Sequence, residues 1–261
     1  MAKGLFQSLR EEIKEKYGLT RNSIDFVPFE SDWREKLQTY PAEFKSEWQS
    51  NLSLLKRRLK LSDLSDVENP NKKLILFFGI SGSGKTTLAR IVAESIPNTV
   101  LLRGHVIVDM LNLYGKNIEL YRERLRKRHF ETPDPWYISY LYQEQLTRDI
   151  LDLGYNVVFD DHIRTRENRQ GYSRLARSCE AKIVFIRIDA PFETCVRRTT
   201  KREEDRYKIT NKMVRFLANF VFQSEDISDS ERKKYNGVVA VDGTSNLKDL
   251  RKYLVSQLSS V

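Results

Sequence analysis

Cysteine and long apolar runs are scarce in this sequence. Its 261 residues include two cysteines, Cys179 and Cys195, whose spacing matches neither a metal site nor a disulfide framework. No apolar run approaches the length of a transmembrane helix, and residues 1–16 lack the apolar core of a signal peptide. We therefore expect neither a disulfide-rich secreted protein nor a membrane protein. We predict a cytoplasmic location, with Cys195 packed in the core.

Excess positive charge is also absent from the first seventy residues, which hold twelve basic and twelve acidic side chains. The net charge of +9 therefore belongs to the chain from residue 71 onward. Such an excess favours an anionic substrate in that region, although it is equally consistent with a well-solvated surface. With 40% hydrophobic and 31% charged residues, the composition is that of a folded protein.

One stretch carries a specific chemical signature. An apolar run at 73–79 leads into GISGSGKT at 79–86, which fits the pattern G-x-x-x-x-G-K-[ST], and a helix is predicted over 84–95. The loop turns backbone N–H groups toward phosphates, the lysine reaches the β- and γ-phosphates, and the threonine hydroxyl binds Mg²⁺. The alternative is a Gly/Ser loop that binds nothing. We predict that ATP and Mg²⁺ bind at Gly79, Ser81, Gly82, Ser83, Gly84, Lys85, Thr86 and Thr87.

The order of the predicted elements divides the chain into two regions. Residues 1–70 have the pattern of a helical extension, with helices over 4–17 and within 32–61. From residue 71 to 261 strands alternate with helices, which predicts an α/β domain built on a parallel sheet. The five predicted strands are 73–79, 100–103, 155–159, 182–188 and 238–241.

Four stretches between residues 73 and 258 are distinctive in combination: GISGSGKTTLAR, GYNVVFDDHIRTRENR, IVFIRIDAPFETCVRRTTKR and VVAVDGTSNLKDL. Together they resemble small P-loop kinases, in particular polynucleotide kinases, zeta-toxin sugar-nucleotide kinases and phosphoseryl-tRNA kinases. The resemblance implies a P-loop NTPase fold of the nucleoside-kinase type, with a five-stranded parallel sheet flanked by helices and an arginine-bearing lid. It does not distinguish between the acceptors of these kinases.

Asp160 ends the apolar strand VVFDD, where the resemblance implies a Walker B carboxylate. We predict that Asp160 and Thr86 hold the magnesium ion, Asp160 acting through its water shell. The alternative is that Asp160 caps the next helix, because aspartate is favoured at helix N-termini.

The segment after the second strand departs from the family pattern. Such kinases usually carry an aspartate there, which accepts the proton of the attacking hydroxyl. Here Arg103, Gly104 and His105 follow the strand, and the next carboxylate is Asp109. A helix would place His105 and Asp109 on one face, so we predict Asp109 as the catalytic base and Arg103 and His105 as substrate-binding residues. The alternative is a surface pair at a helix start.

The stretch after the fourth strand resembles the lid. Arg198 and Arg202 share a helical face, and guanidinium groups can neutralise a transferring phosphoryl group, so we predict both as catalytic together with Lys85. The alternative is a solvated basic helix.

Residues 117–142 combine clustered arginines with aromatic residues, the two ingredients of single-stranded nucleic-acid sites. The alternative is an ordinary helix whose aromatics are core and whose charges are solvated. We predict a basic, substrate-binding mouth whose arginines are Arg126, Arg128, Arg164 and Arg169. Trp136, Tyr137, Tyr140 and Tyr142 are the candidate stacking residues.

The combined prediction is an ATP-dependent kinase whose acceptor is a hydroxyl on a polynucleotide end or a tRNA. Two alternatives stay open: a small-molecule or sugar-nucleotide kinase, with a phosphorylated small molecule as the anionic acceptor, and a nucleotide-dependent binding switch. A kinase predicts ADP formation that depends on an acceptor, whereas a switch predicts slow hydrolysis stimulated by a partner.

Overall fold

Five parallel strands form the centre of the molecule. The structure is a computed structural model, and it describes residues 4–23, 40–111, 123, 135–161, 163–204 and 211–261. The strands lie in the order β2-β3-β1-β4-β5, and every neighbouring pair is parallel, which confirms the predicted sheet. Their bounds are Lys73–Phe78 (β1), Thr99–Arg103 (β2), Asn156–Asp160 (β3), Lys182–Asp189 (β4) and Gly237–Asp242 (β5).

Helices precede the sheet and connect its strands. The first are Leu5–Tyr17 (α1), Tyr40–Glu43 (α2) and Lys45–Arg58 (α3). The others are Lys85–Ser95 (α4), Gly104–Met110 (α5), Pro135–Asp152 (α6), Arg166–Ser178 (α7), Phe192–Glu204 (α8), Asn211–Gln223 (α9), Asp229–Arg232 (α10) and Leu247–Ser260 (α11). Within the described ranges, no helix is long and apolar enough to cross a membrane. Residues 112–122 and 124–134, which include most of the arginine-rich stretch, lie outside the described residues.

The continuous apolar run of β1 follows from burial on both faces of the sheet. Leu74, Leu76 and Phe78 belong to one hydrophobic cluster, and Ile75 and Phe77 belong to another on the opposite face. Successive side chains of a strand point to opposite faces, so a strand covered on both sides must be apolar at every position. The carboxyl end of β1 thereby becomes a fixed point from which the glycine loop begins.

The N-terminal helices share the larger of these two clusters. Leu9 and Ile13 of α1 are buried in it together with side chains of the sheet. Trp48 of α3 stacks on Tyr142 of α6, with ring centroids 4.2 Å apart. The boundary at residue 70 therefore marks a change of composition, and the division into two domains stays a prediction.

Two of the four aromatic residues predicted to stack on bases lie in this core. Tyr140 and Tyr142 are 9% and 0% exposed, and Asn51 donates a hydrogen bond to the Tyr142 hydroxyl. The stacking prediction is therefore wrong for these two residues, because both rings are buried in the core. The side chains of Trp136 and Tyr137 lie outside the described residues.

Arg169 was predicted in the basic mouth, and the structure contradicts this. Its side chain is fully buried, and its Nε lies 2.9 Å from Glu231 Oε1. The guanidinium also donates to the backbone carbonyls of Glu225 and Asp226, at 2.9 and 3.2 Å. All of these partners belong to this chain. Arg169 therefore holds the segment between α9 and α10 against α7, and its buried side chain cannot contact a substrate.

Burial alone would raise the pKa of Glu231, but the hydrogen bonds from Arg169 and the Ser228 N–H, with the charge of Arg169, outweigh it. They lower the pKa of Glu231 from 4.5 to about 2. A depressed carboxyl pKa contributes stability that is complete above the unfolded value of 4.5 and is lost as the pH falls toward 2.

Replacing Arg169 by Met should therefore lower the free energy of unfolding at pH 7 by about 3 to 5 kcal/mol, because Glu231 is left buried without its cation. The difference from the wild type should shrink when urea unfolding is measured at pH 3. Arg174→Met, at an exposed position of the same helix, is the control. Equal unfolding midpoints for the two variants would contradict the assigned role.

Candidate active site

The loop between β1 and α4 has the backbone geometry of a phosphate-binding loop. Gly84 precedes α4 with a φ of 111°, a conformation that favours glycine, and the Ser83 N–H bonds the Ile80 carbonyl at 3.2 Å. The first N–H groups of α4 have no helical partner and face the loop end of the helix, where the dipole is positive. Strand, loop and helix thus follow each other as the motif requires.

Lys85 lies inside this loop and is only 7% exposed. Its Nζ donates to the carbonyls of Gly79 and Ile80, each at 3.0 Å. Burial lowers the pKa of Lys85 to about 8, and the negative charge of Asp160 offsets part of that effect. The lysine is therefore a cation at neutral pH, but one that loses its proton more readily than a surface lysine.

A cavity of about 880 Å³ opens over the loop, a size within the usual range for cofactor sites. Its lining unites segments that are far apart in sequence. The P-loop and α4 contribute Ser81, Gly82, Gly84, Lys85, Thr86, Thr87 and Leu88. The other lining residues are His105, Asp160, Asp161, Arg198, Arg202, Gly243, Ser245, Leu247 and Leu250.

Asp160 is the last residue of β3 and lies beside the cavity with 5% of its surface exposed. Its buried Oδ2 has no hydrogen-bond partner in the described part of the chain, which suits an oxygen directed at a hydrated cation. The helix-cap alternative is wrong, because α7 begins six residues later and is capped by Thr165.

Thr86 and Asp160 therefore fit a magnesium site. No group of three or more His, Cys, Asp or Glu side chains in the described ranges could hold a metal ion by itself. Mg²⁺ at nucleotide sites commonly has one or two protein contacts, with phosphates and water completing its shell. These two residues meet that requirement, and both line the cavity.

The segment after β2 places a histidine, and not Asp109, on the cavity wall. Helix α5 begins at Gly104, where any side chain would collide with the Asp161 carboxylate. His105 lines the cavity, whereas Asp109, one turn further along, is exposed and is not among the lining residues. Gly104 lies in the Arg103-Gly104-His105 stretch, where this sequence differs from the family pattern, and its lack of a side chain makes room for Asp161.

Helix α8 packs directly on the P-loop. A side chain at Gly82 would collide with the Cys195 carbonyl and the Thr199 hydroxyl of that helix. Arg198 donates to the carbonyls of Gly82 and Gly243, at 3.3 and 3.1 Å, and Arg202 lines the cavity one turn later. Both arginines therefore lie where the sequence placed them, and their catalytic role stays a prediction.

Cys195 has no chemical role at this site. It is fully buried on α8, and burial raises the pKa of its thiol to about 12. The predicted core position is confirmed.

The predicted substrate-binding arginines have different positions. Arg103 ends β2, half-buried and paired in register with Asp160. Arg164 lies 3.8 Å from the centre of the Phe220 ring and contributes to lowering the pKa of Lys85. Arg126 and Arg128 lie outside the described residues.

The resemblance to small P-loop kinases implies that the turn Asp242-Gly243-Thr244, after β5, borders the adenine, but sequence reasoning missed the wall that α11 adds beside it. A side chain at Gly243 would collide with the Ser83 carbonyl, so this turn touches the P-loop. Leu247 is 50% exposed and Leu250 is 7% exposed, and both line the cavity. Their spacing at the start of a helix is the one signal that could have placed them together on one face.

Comparison with known proteins agrees with this geometry. A family model described as an AAA domain matches residues 74–220, which is more than half of the chain. The chain belongs to this AAA domain family. No curated protein matches it.

Solved structures resemble this AAA domain protein in fold. A protein proposed to be a kinase, from Chloroflexus aurantiacus, is 14% identical with a TM-score of 0.52, over 74% of this chain and 99% of the other. A structure of the PezAT toxin-antitoxin system of Streptococcus pneumoniae is 18% identical with a TM-score of 0.54, over 82% and 94%. The APS kinase CysC of Mycobacterium tuberculosis, in complex with AMPPNP and APS, is 16% identical over 74% and 99%, with a TM-score of 0.46. The architecture shared with the first two of these structures is the P-loop fold expected from the four motifs.

The lowered pKa of Lys85 predicts a pH-dependent nucleotide affinity for the AAA domain protein. Below about pH 8 the protonated lysine attracts phosphate, and above it the charge is lost, so ATP affinity should fall as the pH rises from 7 to 9.5. Titration of a fluorescent ATP analogue across this range measures the effect. Lys85→Met should bind weakly and without this dependence. A constant wild-type affinity would contradict the assignment.

Proposed function

We propose that this protein is an ATP-dependent phosphotransferase that moves the γ-phosphoryl group to an acceptor hydroxyl. The observation that supports this best is a single cavity that combines the P-loop lysine, two strand-end aspartates and two arginines of α8. A nucleotide-binding loop alone would serve a switch equally well. The arginines of α8 would supply, from the same chain, the positive charge that the transition state of phosphoryl transfer requires.

In the proposed reaction the acceptor oxygen attacks the γ-phosphorus while its proton passes to a carboxylate. The bond from the γ-phosphorus to the bridging oxygen breaks, and ADP leaves with the electron pair. Lys85 binds the β- and γ-phosphates, and Arg198 and Arg202 neutralise charge on the phosphoryl group during its transfer. Mg²⁺, when bound at Thr86 and Asp160, would supply further neutralisation.

Asp161 is the better candidate for the proton acceptor than Asp109. A general base must reach a hydroxyl that itself lies within bonding distance of the γ-phosphate. Asp161 lines the cavity, and its negative charge favours protonated Lys85. Asp109 lies one helical turn beyond His105 on the exposed side of α5. We therefore revise the sequence-based prediction and propose Asp161 as base, with His105 contacting the acceptor.

Replacing Asp161 by Asn should accordingly reduce kcat by about 10²- to 10⁴-fold, the usual contribution of a positioned base. The affinity for ATP should change little, because the amide keeps the size of the carboxyl group and Gly104 still accommodates it. Asp109→Asn is the matched control, made on the other candidate carboxylate, and should retain nearly full activity. A loss confined to the Asp109 variant would return the base role to that residue.

The acceptor class is proposed from charge. His105 lines the cavity, Arg103 is paired in register with Asp160, and the net charge of +9 suits an anionic partner. The proposal of a polynucleotide end or a tRNA as acceptor no longer rests on Arg169, Tyr140 and Tyr142, which are buried. It still rests on the predicted contributions of Arg126 and Arg128. If it binds, affinity should fall with salt by a slope of about −0.7 per phosphate neutralised. Charge reversal at Arg126 and Arg128 should flatten that slope and spare ATP binding.

A transfer screen with γ-labelled ATP tests the activity itself. The acceptors offered are RNA and DNA ends, tRNA, nucleoside sugars, and small or phosphorylated alcohols. We expect label on one class with the wild type and none with Lys85→Met, which loses the ammonium group that bonds the loop carbonyls while keeping a side chain of similar length. Hydrolysis that a protein partner stimulates, without transfer to any acceptor, would overturn the kinase in favour of a switch.

A further inference from the structure

Helix α8 begins without an acceptor side chain of its own. The residue before it is Pro191, whose carbonyl accepts the first helical bond, from the Cys195 N–H at 3.1 Å. Proline has no polar side chain, so the next backbone N–H groups need an acceptor from elsewhere. These are the amides of Phe192 and Glu193, at the positively polarised end of the helix that carries Arg198 and Arg202.

Glu12 of helix α1 supplies that acceptor from a position 180 residues earlier in the chain. Its Oε2 accepts from the Phe192 N–H at 3.0 Å, and its Oε1 accepts from the Glu193 N–H at 3.4 Å. A carboxylate at this place both completes the hydrogen bonds and opposes the helix dipole. Tyr17 adds an edge contact with the buried Phe192 ring at 5.7 Å, and Lys16 pairs with Glu193 at 2.9 Å.

Helix α1 is itself anchored to a distant segment of the chain. Its own N-cap is Gly4, which has no side chain, and the Asp226 carboxylate accepts from the Phe6 and Gln7 N–H groups at 3.0 and 3.1 Å. Asp226 in turn belongs to the segment whose backbone the buried Arg169 binds. Arg10 donates to the Ser224 carbonyl of the same segment.

We infer that Glu12 is a positioning residue of the active site. By capping α8 it fixes the start of the helix whose next two turns place Cys195 against Gly82 and direct Arg198 and Arg202 toward the phosphates. The N-terminal helix is thus a working part of the nucleotide site. This inference rests on the proposed phosphoryl transfer for its effect on rate, but its effect on α8 can be measured without any turnover.

The test compares Glu12→Ala with Glu15→Ala in the full chain. Glu15 is an exposed carboxylate on the same helix, so the control removes the same charge and side chain without touching α8. Hydrogen exchange over residues 192–202 is followed with and without a non-hydrolysable ATP analogue. We expect faster exchange and weaker protection by the analogue in Glu12→Ala alone. Exchange equal to that of Glu15→Ala would overturn the inference, whatever the activity.

Kinetics separate positioning from simple stabilisation. Glu12→Ala should lower kcat about tenfold, the effect of roughly one lost helix cap, while the dissociation constant for the analogue changes less. Glu12→Gln keeps one acceptor oxygen and is less disruptive to folding than Glu12→Ala. This variant should restore most of the rate. Wild-type kcat in Glu12→Ala would overturn the inference. If the wild type transfers phosphate to no acceptor, the proposed function fails separately, and the exchange comparison still decides the role of Glu12.

Discussion

The close contact between Gly82 and helix α8 is the constraint on which the rest of the site depends. Any side chain at position 82 would meet the Cys195 carbonyl and the Thr199 hydroxyl, so the loop and the helix touch backbone to backbone. With α8 this close, Arg198 reaches both the Gly82 carbonyl and the turn at Gly243. One glycine thereby joins the phosphate loop, the arginine-bearing helix and the turn after β5 into a single wall.

The parts of this site that could be predicted from the sequence are those encoded locally. A buried strand, glycines at fixed spacing, a lysine and a threonine identify the P-loop because all of these features lie close together in the sequence, between residues 73 and 86. The same holds for Arg198 and Arg202, since a four-residue spacing on a helix fixes a shared face without knowledge of the partner. The five strands followed from apolar runs that two covered faces require.

Long-range partners explain where the sequence prediction was wrong. Arg164 and Arg169 are five residues apart and look alike in the sequence, yet one lies over a phenylalanine ring and the other is buried against Glu231, 62 residues later. Nothing in the local pattern distinguishes them, because the difference is the presence of a distant carboxylate. Likewise, Asp161 gains its place on the cavity wall from the glycine at 104, on a different strand end.

The caps of α1 and α8 show why the change of composition near residue 70 does not separate the N-terminal helices from the active site. Gly4 and Pro191 are both acceptable residues at a helix start, and a local reading sees no defect at either place. Each nevertheless leaves amide groups unsatisfied, and each helix takes its acceptor from a distant segment: Asp226 for α1 and Glu12 for α8. The segment after α9 thus caps α1, and α1 in turn caps α8, the helix beside the P-loop. The change of composition at residue 70 is real, but the hydrogen bonds that hold the arginines in place cross it.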